Sequence, residues 1–196
     1  MGKTAFSVLL GTVLLAGCVA PVGPVQVTRF HAADVSPLGK GAIAVEPAPG
    51  ADGKSLEWQT YQVAVQRQLA LIGYTDAAAG QGGQVAELRV LRSMSEPERR
   101  PGPVSVGVGG STGSYGGGLG VGLGFNLGGK PSQQVQTELG VMIKDRATRQ
   151  TLWEGRASFT VDGRSPLAST DLAAPKMAEA LFKDFPGQSG ETIEVK

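Results

Sequence analysis

The sequence predicts an α+β domain of two layers, a mainly antiparallel sheet packed by two helices, with a long glycine-rich hairpin or loop inserted. Three observations carry that prediction. Five segments alternate apolar and polar residues with the period of a half-buried strand. Two others repeat apolar residues at three- and four-residue steps, the period of a helix lying on a sheet. Between the third and fourth strands lies a stretch dominated by glycine.

Val25 to Phe30 is the first strand, with Val25 and Val27 set against Gln26 and Thr28. A turn at Ser36-Pro37-Leu38-Gly39 leads to a short second strand, Ala42 to Glu46, which Pro47 and Pro49 end. Ser55 caps a helix expected to run through Tyr74. Its stripe is Trp58, Tyr61, Val65, Leu69 and Ile72, with Gln59, Gln62, Gln66, Arg67 and Gln68 largely off it and Gly73 as its stop. After a loop at Gly80 to Gln84, Val85 to Arg92 reads as a strand with Ala86, Leu88 and Val90 inward and Glu87 and Arg89 outward. Gln133 to Lys144 is a strand carried by Val135, Leu139, Val141 and Ile143. A turn through Asp145 to Arg149 joins it to Leu152–Val161, where Trp153, Ala157, Phe159 and Val161 share a face with Gly155 among them, so the two strands form a hairpin. Asp171 to Phe185 reads as a helix, with Met177, Leu181 and Phe185 four apart and Pro186 and Gly187 ending it. The domain thus covers residues 25–187, and residues 188–196 form a C-terminal tail.

Ahead of this domain stands a leader. Met1-Gly2-Lys3 is a short basic start, and Ala5 to Ala16 is a largely apolar run of twelve. The run is shorter than the about 20 apolar residues needed to span a bilayer. Leu15-Ala16-Gly17-Cys18 then supplies the small residues that signal processing requires. This Leu-Ala-Gly-Cys resembles the bacterial lipobox. The resemblance implies diacylglyceryl transfer to the Cys18 sulfur, cleavage between Gly17 and Cys18, and acylation of the new amine. Residues 1–17 are then the signal peptide and 18–24 a lipidated tether. Two or three acyl chains hold where a single chain is marginal. Val19, where an aspartate would retain the protein, favours the outer membrane by resemblance to enterobacterial sorting, with the domain facing the periplasm.

Charge excludes some partners. The chain carries 18 Lys plus Arg against 17 Asp plus Glu, and removal of Lys3 with the signal leaves 17 of each. A neutral domain offers no electrostatic case for nucleic acid or for polybasic membrane adhesion. Cys18 is the one cysteine, so no internal disulfide is possible.

Pro101 to Gly129 contains no charged residue, and 12 of the 27 residues in Val104–Lys130 are glycine. Val104, Val106 and Val108 alternate with Ser105 and Gly107, and Leu119 to Leu127 alternates with Gly120, Gly122, Gly124 and Asn126. Three readings of 101–130 stay open. It is a loop, since glycine interrupts strands; or a hairpin that extends the sheet, its apolar face covered by a partner or another protomer; or a hairpin entering the bilayer, which would require a ring of subunits to satisfy its edges.

Two motifs imitate chemistry without its context. Gly109-Gly110-Ser111-Thr112-Gly113 fits G-x-S-x-G, but no helical pattern follows, and the single histidine, His31, lies upstream. Gly124 to Lys130 imitates a phosphate loop, yet Pro131 stands where Ser or Thr would hold Mg²⁺ and a strand pattern follows. Metal ligands are lacking, with one histidine and one cysteine. Glu96 and Glu98 flank Pro97 as a charged turn, and Trp58, Trp153 and Phe159 lie on apolar periods, as core residues do. No catalytic residue, metal site or cofactor is expected.

The order of the elements resembles the envelope lipoproteins of the family called domain of unknown function 4136. The residues that carry the resemblance are Val27-Thr28-Arg29-Phe30, then Val65 to Tyr74 with its Leu-(Ala-Leu-Ile)-Gly-Tyr ending. After these come Ile143-Lys144-Asp145, Leu152-Trp153-Glu154-Gly155 and Phe182-Lys183-Asp184-Phe185-Pro186. Ala44-Val45-Glu46 departs from the aromatic that usually ends the family's second strand. The resemblance implies a lipid-anchored α+β domain in the envelope and carries over no catalytic residue.

The expectation is therefore an outer-membrane lipoprotein acting by binding or assembly. Its partners are membrane lipid through acylated Cys18 and an envelope protein or another copy of itself, with no nucleic acid. Oligomeric assembly or a pore-like role through the glycine-rich segment is the alternative, and an enzyme acting on lipid or cell wall is a third class.

Overall fold

A computed structural model describes residues 23–95 and 132–196. Gly17, Cys18, the charged turn at Glu96 and Glu98, and the insertion 101–130 lie outside the described residues. In chain order the elements are β1 (Val25–His31), β2 (Ala42–Pro47), α1 (Leu56–Leu71), β3 (Thr75–Asp76), β4 (Gln84–Ser95), β5 (Gln134–Asp145), β6 (Thr151–Asp162), α2 (Thr170–Phe182) and β7 (Thr192–Val195).

The strands make one seven-stranded sheet in the order β3-β2-β4-β5-β6-β1-β7. β4, β5 and β6 form its antiparallel centre, and β1 pairs antiparallel with both β6 and β7. β2 runs parallel to β3 and to β4, with α1 as the crossover between β2 and β4. Alternation reports which face a side chain takes and not the direction of its strand, so this parallel pair is a finding of the structure. The α+β class and the mainly antiparallel sheet stand.

Both helices pack on one face. Their core partners are the inward residues of every long strand, among them Val27, Val45, Leu88, Leu139, Ile143, Trp153 and Phe159. Tyr61 on α1 meets α2 through a hydroxyl donated to the Met177 sulfur at 3.8 Å, and Trp58 Nε1 donates to the Leu88 carbonyl at 3.2 Å. α1 begins as the sequence implies, with Ser55 Oγ accepting from the Trp58 N–H at 3.1 Å. It ends at Leu71, short of the expected Tyr74, because Gly73 turns the chain at φ 107°. A Cβ on Gly73 would also stand 2.6 Å from the Gly39 carbonyl oxygen.

α2 stops at Phe182, three residues before the predicted end. The Lys183 carbonyl is taken by Arg29 Nη1 at 2.6 Å, and Asp184 turns left-handed at φ 55°. Phe185 therefore reaches the core from the chain beyond the helix. Residues 188–196, read as a tail, supply β7, which pairs with β1 from Val25↔Val195 to Thr28↔Thr192. Four residues of weak alternation carry too little pattern to announce a strand.

Candidate functional site

No element among the described residues covers the face of the sheet opposite the helices. On it lies a groove of about 380 Å³, rimmed by the Ala48–Pro49 corner and floored by β4, β5 and β6. Register places its charges. Glu87, Met142 and Glu154 form one cross-strand row, and Arg89, Gly140 and Arg156 form the next. Glu87 pairs with Lys144 at 2.7 Å, and Glu154 with Arg156 at 2.8 Å. Among the described residues no carboxylate lies within ion-pair distance of Arg89. It also lines a second hollow of about 410 Å³, beside the loop from Pro49 to Ser55.

Gly140 gives the groove its floor. A Cβ there would meet nothing closer than the Arg89 carbonyl oxygen at 4.0 Å, so the space above it is open. Strands lie about 4.8 Å apart, which sets the stems of Arg89 and Arg156 about 10 Å apart across that opening. Glycine weakens a strand interior and marks places where a ligand or another chain comes close. The lining sets Arg89, Lys144 and Arg156 against Glu87, Glu138 and Glu154, so the groove is balanced in charge and suits a polar partner with groups of both signs. The sequence showed Arg89 as outward. Its union with Gly140 and Arg156 depends on the register of three strands, which no local pattern encodes.

A second cluster gathers most of the motif residues. The Trp153 ring stacks on Phe182 at 5.4 Å between centroids and tilts against Phe185 at 5.3 Å, and its Nε1 donates to the Pro186 carbonyl at 3.0 Å. Arg29, only 4% exposed, caps the end of α2 through Lys183, where a cation favours the helix dipole. Burial pulls its guanidinium below the ordinary arginine range, while the carboxylates of Asp184 and Glu191 pull it back up. Toward the β3 margin of the sheet Tyr74 donates to Gln84 Oε1 at 3.1 Å, and Gln84 Nε2 holds the Pro37 carbonyl at 2.9 Å. These contacts latch loops and termini to the sheet and present no reacting atom.

The other singled-out residues are structural. His31 keeps its Nδ1 2.8 Å from the Ala32 carbonyl oxygen, and Trp58, Trp153 and Phe159 lie in the core. Among the described residues no cluster of His, Cys, Asp and Glu has the grouping of metal ligands, and no helix is long and apolar enough to cross a membrane.

Residues 33–187 match the family described as Domain of unknown function (DUF4136). The chain belongs to this family. Another similar chain is an uncharacterised protein of Zymomonas mobilis, 31% identical, with 88% of this chain and 80% of that protein covered. Among solved structures, a PDZ domain protein from Parabacteroides distasonis overlays with a TM-score of 0.46 at 12% identity, over 88% of this chain and 39% of that one. The PelC dodecamer from Paraburkholderia phytofirmans overlays with a TM-score of 0.44 at 10% identity, over 84% and 99%. Trp153 and Phe182–Pro186 fall within the matched residues, and Arg29 lies ahead of them.

Proposed function

We propose that this DUF4136 chain is a lipoprotein of the cell envelope, acylated at Cys18, held to the outer membrane and facing the periplasm. It works by binding another envelope component rather than by chemistry. The observation that carries the reading is Leu15-Ala16-Gly17-Cys18 placed directly after a basic start and an apolar run. The fold suits such an anchor. β1 begins at Val25, seven positions after the cysteine, and is hydrogen-bonded on both sides, so a pull on the tether is shared by two ladders. A binding role is supported by the groove on the open face, whose lining offers arginine, lysine, glutamate and bare backbone. Protein purified from membranes should start at Cys18 and carry acyl chains by intact mass, and Cys18→Ser should release an unacylated chain. A native protein that starts at Met1 with a free thiol overturns the reading.

A second reading, self-association through 101–130, is favoured by one observation. β4 and β5 stay paired out to Ser95↔Gln134, so the residues leading into and out of the segment are already in hairpin register.

A further inference from the structure

The face opposite the helices carries its charges in stripes that run across the strands. Register sets Glu87 and Glu154 on one level, with Met142 between them, and Arg89 and Arg156 on the next, with Gly140 between them. Lys144 lies one level beyond the glutamates, and Glu138 one level beyond the arginines. The pattern therefore changes sign about a midline through Leu88, Val141 and Gly155, which are themselves paired in register.

That arrangement is complementary to itself. Consider two copies laid face to face about a two-fold axis that follows the midline. β4 then lies over β4, β5 over β5 and β6 over β6, while the levels are reversed. Glu87 faces Arg89, Glu154 faces Arg156 and Lys144 faces Glu138, and each pairing occurs twice, as an isologous contact requires. The shapes match as well. Met142 comes over Gly140, where an added Cβ would meet nothing closer than 4.0 Å. On β1, Phe30, 52% exposed and level with Glu154, comes over Thr28.

Within one chain this face is incompletely paired. Glu87 uses Lys144 and Glu154 uses Arg156, whereas Arg89 and Glu138 have no ion-pair partner among the described residues. A second copy supplies a partner of opposite sign to both. Packed sheets stand about 10 Å apart, a gap that arginine, glutamate and methionine side chains fill from both sides. Four levels across β2, β4, β5, β6 and β1 give a flat footprint of about 600 Å² per copy. Standard stable interfaces bury about 800 Å² per partner, so this area fits a reversible dimer.

We infer that the open face is a dimer interface, in which two copies pack sheet on sheet with Met142 of each seated over Gly140 of the other. The inference rests on the binding role given to the groove and is independent of acylation at Cys18. Opposed charges fix the register of the pair and reject a copy set one level off. The axis keeps β1 of both copies at the same margin of the pair, so both chains can be anchored in one bilayer.

The test is sedimentation equilibrium of the full chain purified from membranes, in density-matched detergent, with intact mass read on the same sample. The chain should pass from monomer to dimer as its concentration rises. Gly140→Phe fills the seat of Met142, where the single chain has open space, so it should keep its circular-dichroism spectrum and stay monomeric. Arg89→Glu sets glutamate against Glu87 of the other copy, and Glu87→Arg sets arginine against Arg89. Each should weaken self-association at least about tenfold. Mixed together, the two variants oppose unlike charges at both sites and should form a heterodimer as readily as the unaltered chain dimerises. A chain that stays monomeric at its solubility limit overturns the inference. So does a dimer that Gly140→Phe leaves intact, which would place the contact elsewhere, residues 101–130 included, and so does a mixture that fails to associate. Dimers of the expected kind from a chain without lipid on Cys18 overturn the anchor and support the interface.

Discussion

A methyl group at position 155 would occupy volume that the Trp153 ring fills and would stand 2.8 Å from Leu181 Cδ1. Gly155 lies opposite Arg29 on one side and Val141 on the other, and it lets the largest core side chain fold back over its own strand toward α2. Gly155→Ala is therefore an overpacking mutation. It should cost about 2 kcal/mol of stability, read as a lower urea midpoint with an unchanged slope. The ring would also leave its stack on Phe182, which tryptophan fluorescence would register. The sequence made this site half legible. Trp153 and Ala157 announced the buried face, whereas the reason for a glycine between them needed the path of the indole.

Among the elements, the seam between α1 and α2 is closed by Tyr61, 1% exposed, with its hydroxyl on the Met177 sulfur. Burial pushes the Tyr61 phenol up to about 12, the Glu57 carboxylate adds to the rise, and Arg92 opposes it. A phenol raised in the folded state binds its proton more tightly there than in the unfolded chain. Its contribution is therefore complete below about pH 10 and is lost as pH climbs toward 12. Stability should fall by about 2 kcal/mol across that window, and Tyr61→Phe should remove this share of the slope in denaturant titrations at several pH values. The helices themselves were readable, because Trp58, Tyr61, Val65 and Leu69 keep a 3.6-residue period and all are buried. Their ends were less so. Arg29, far away in sequence, settles where α2 stops, and a stripe of apolar residues is blind to such a partner. The direction of β2 and the existence of β7 were hidden for the same reason, since both depend on pairing between distant segments.

At the scale of the whole molecule, the pairing Ser95↔Gln134 means that the domain holds its own chain together on both sides of residues 96–131. Replacing 96–131 by a short Asn-Gly turn should leave a single cooperative unfolding transition by circular dichroism. Loss of cooperativity would show that the domain needs the segment. Light scattering of the same variant decides the self-association reading: a fall in mass relative to the full chain supports it, and an equal mass argues against it. Of the candidate site, the sequence disclosed the outward charges Glu87 and Arg89 on β4. It did not disclose that Arg89, Gly140 and Arg156 form one row, which is a property of the assembled sheet.

The order of strands has one more effect, on how the molecule keeps to itself. Its three longest strands, twelve residues each, are central, while the two margins of the sheet are β3, of two residues, and β7, of four. Unpaired backbone along a margin is a template on which another chain can add, and its danger grows with its length. Such brief borders limit that hazard, and the longest open flank among the described residues is Arg89–Ser95 of β4, beyond its last pairing with β2 at Leu88.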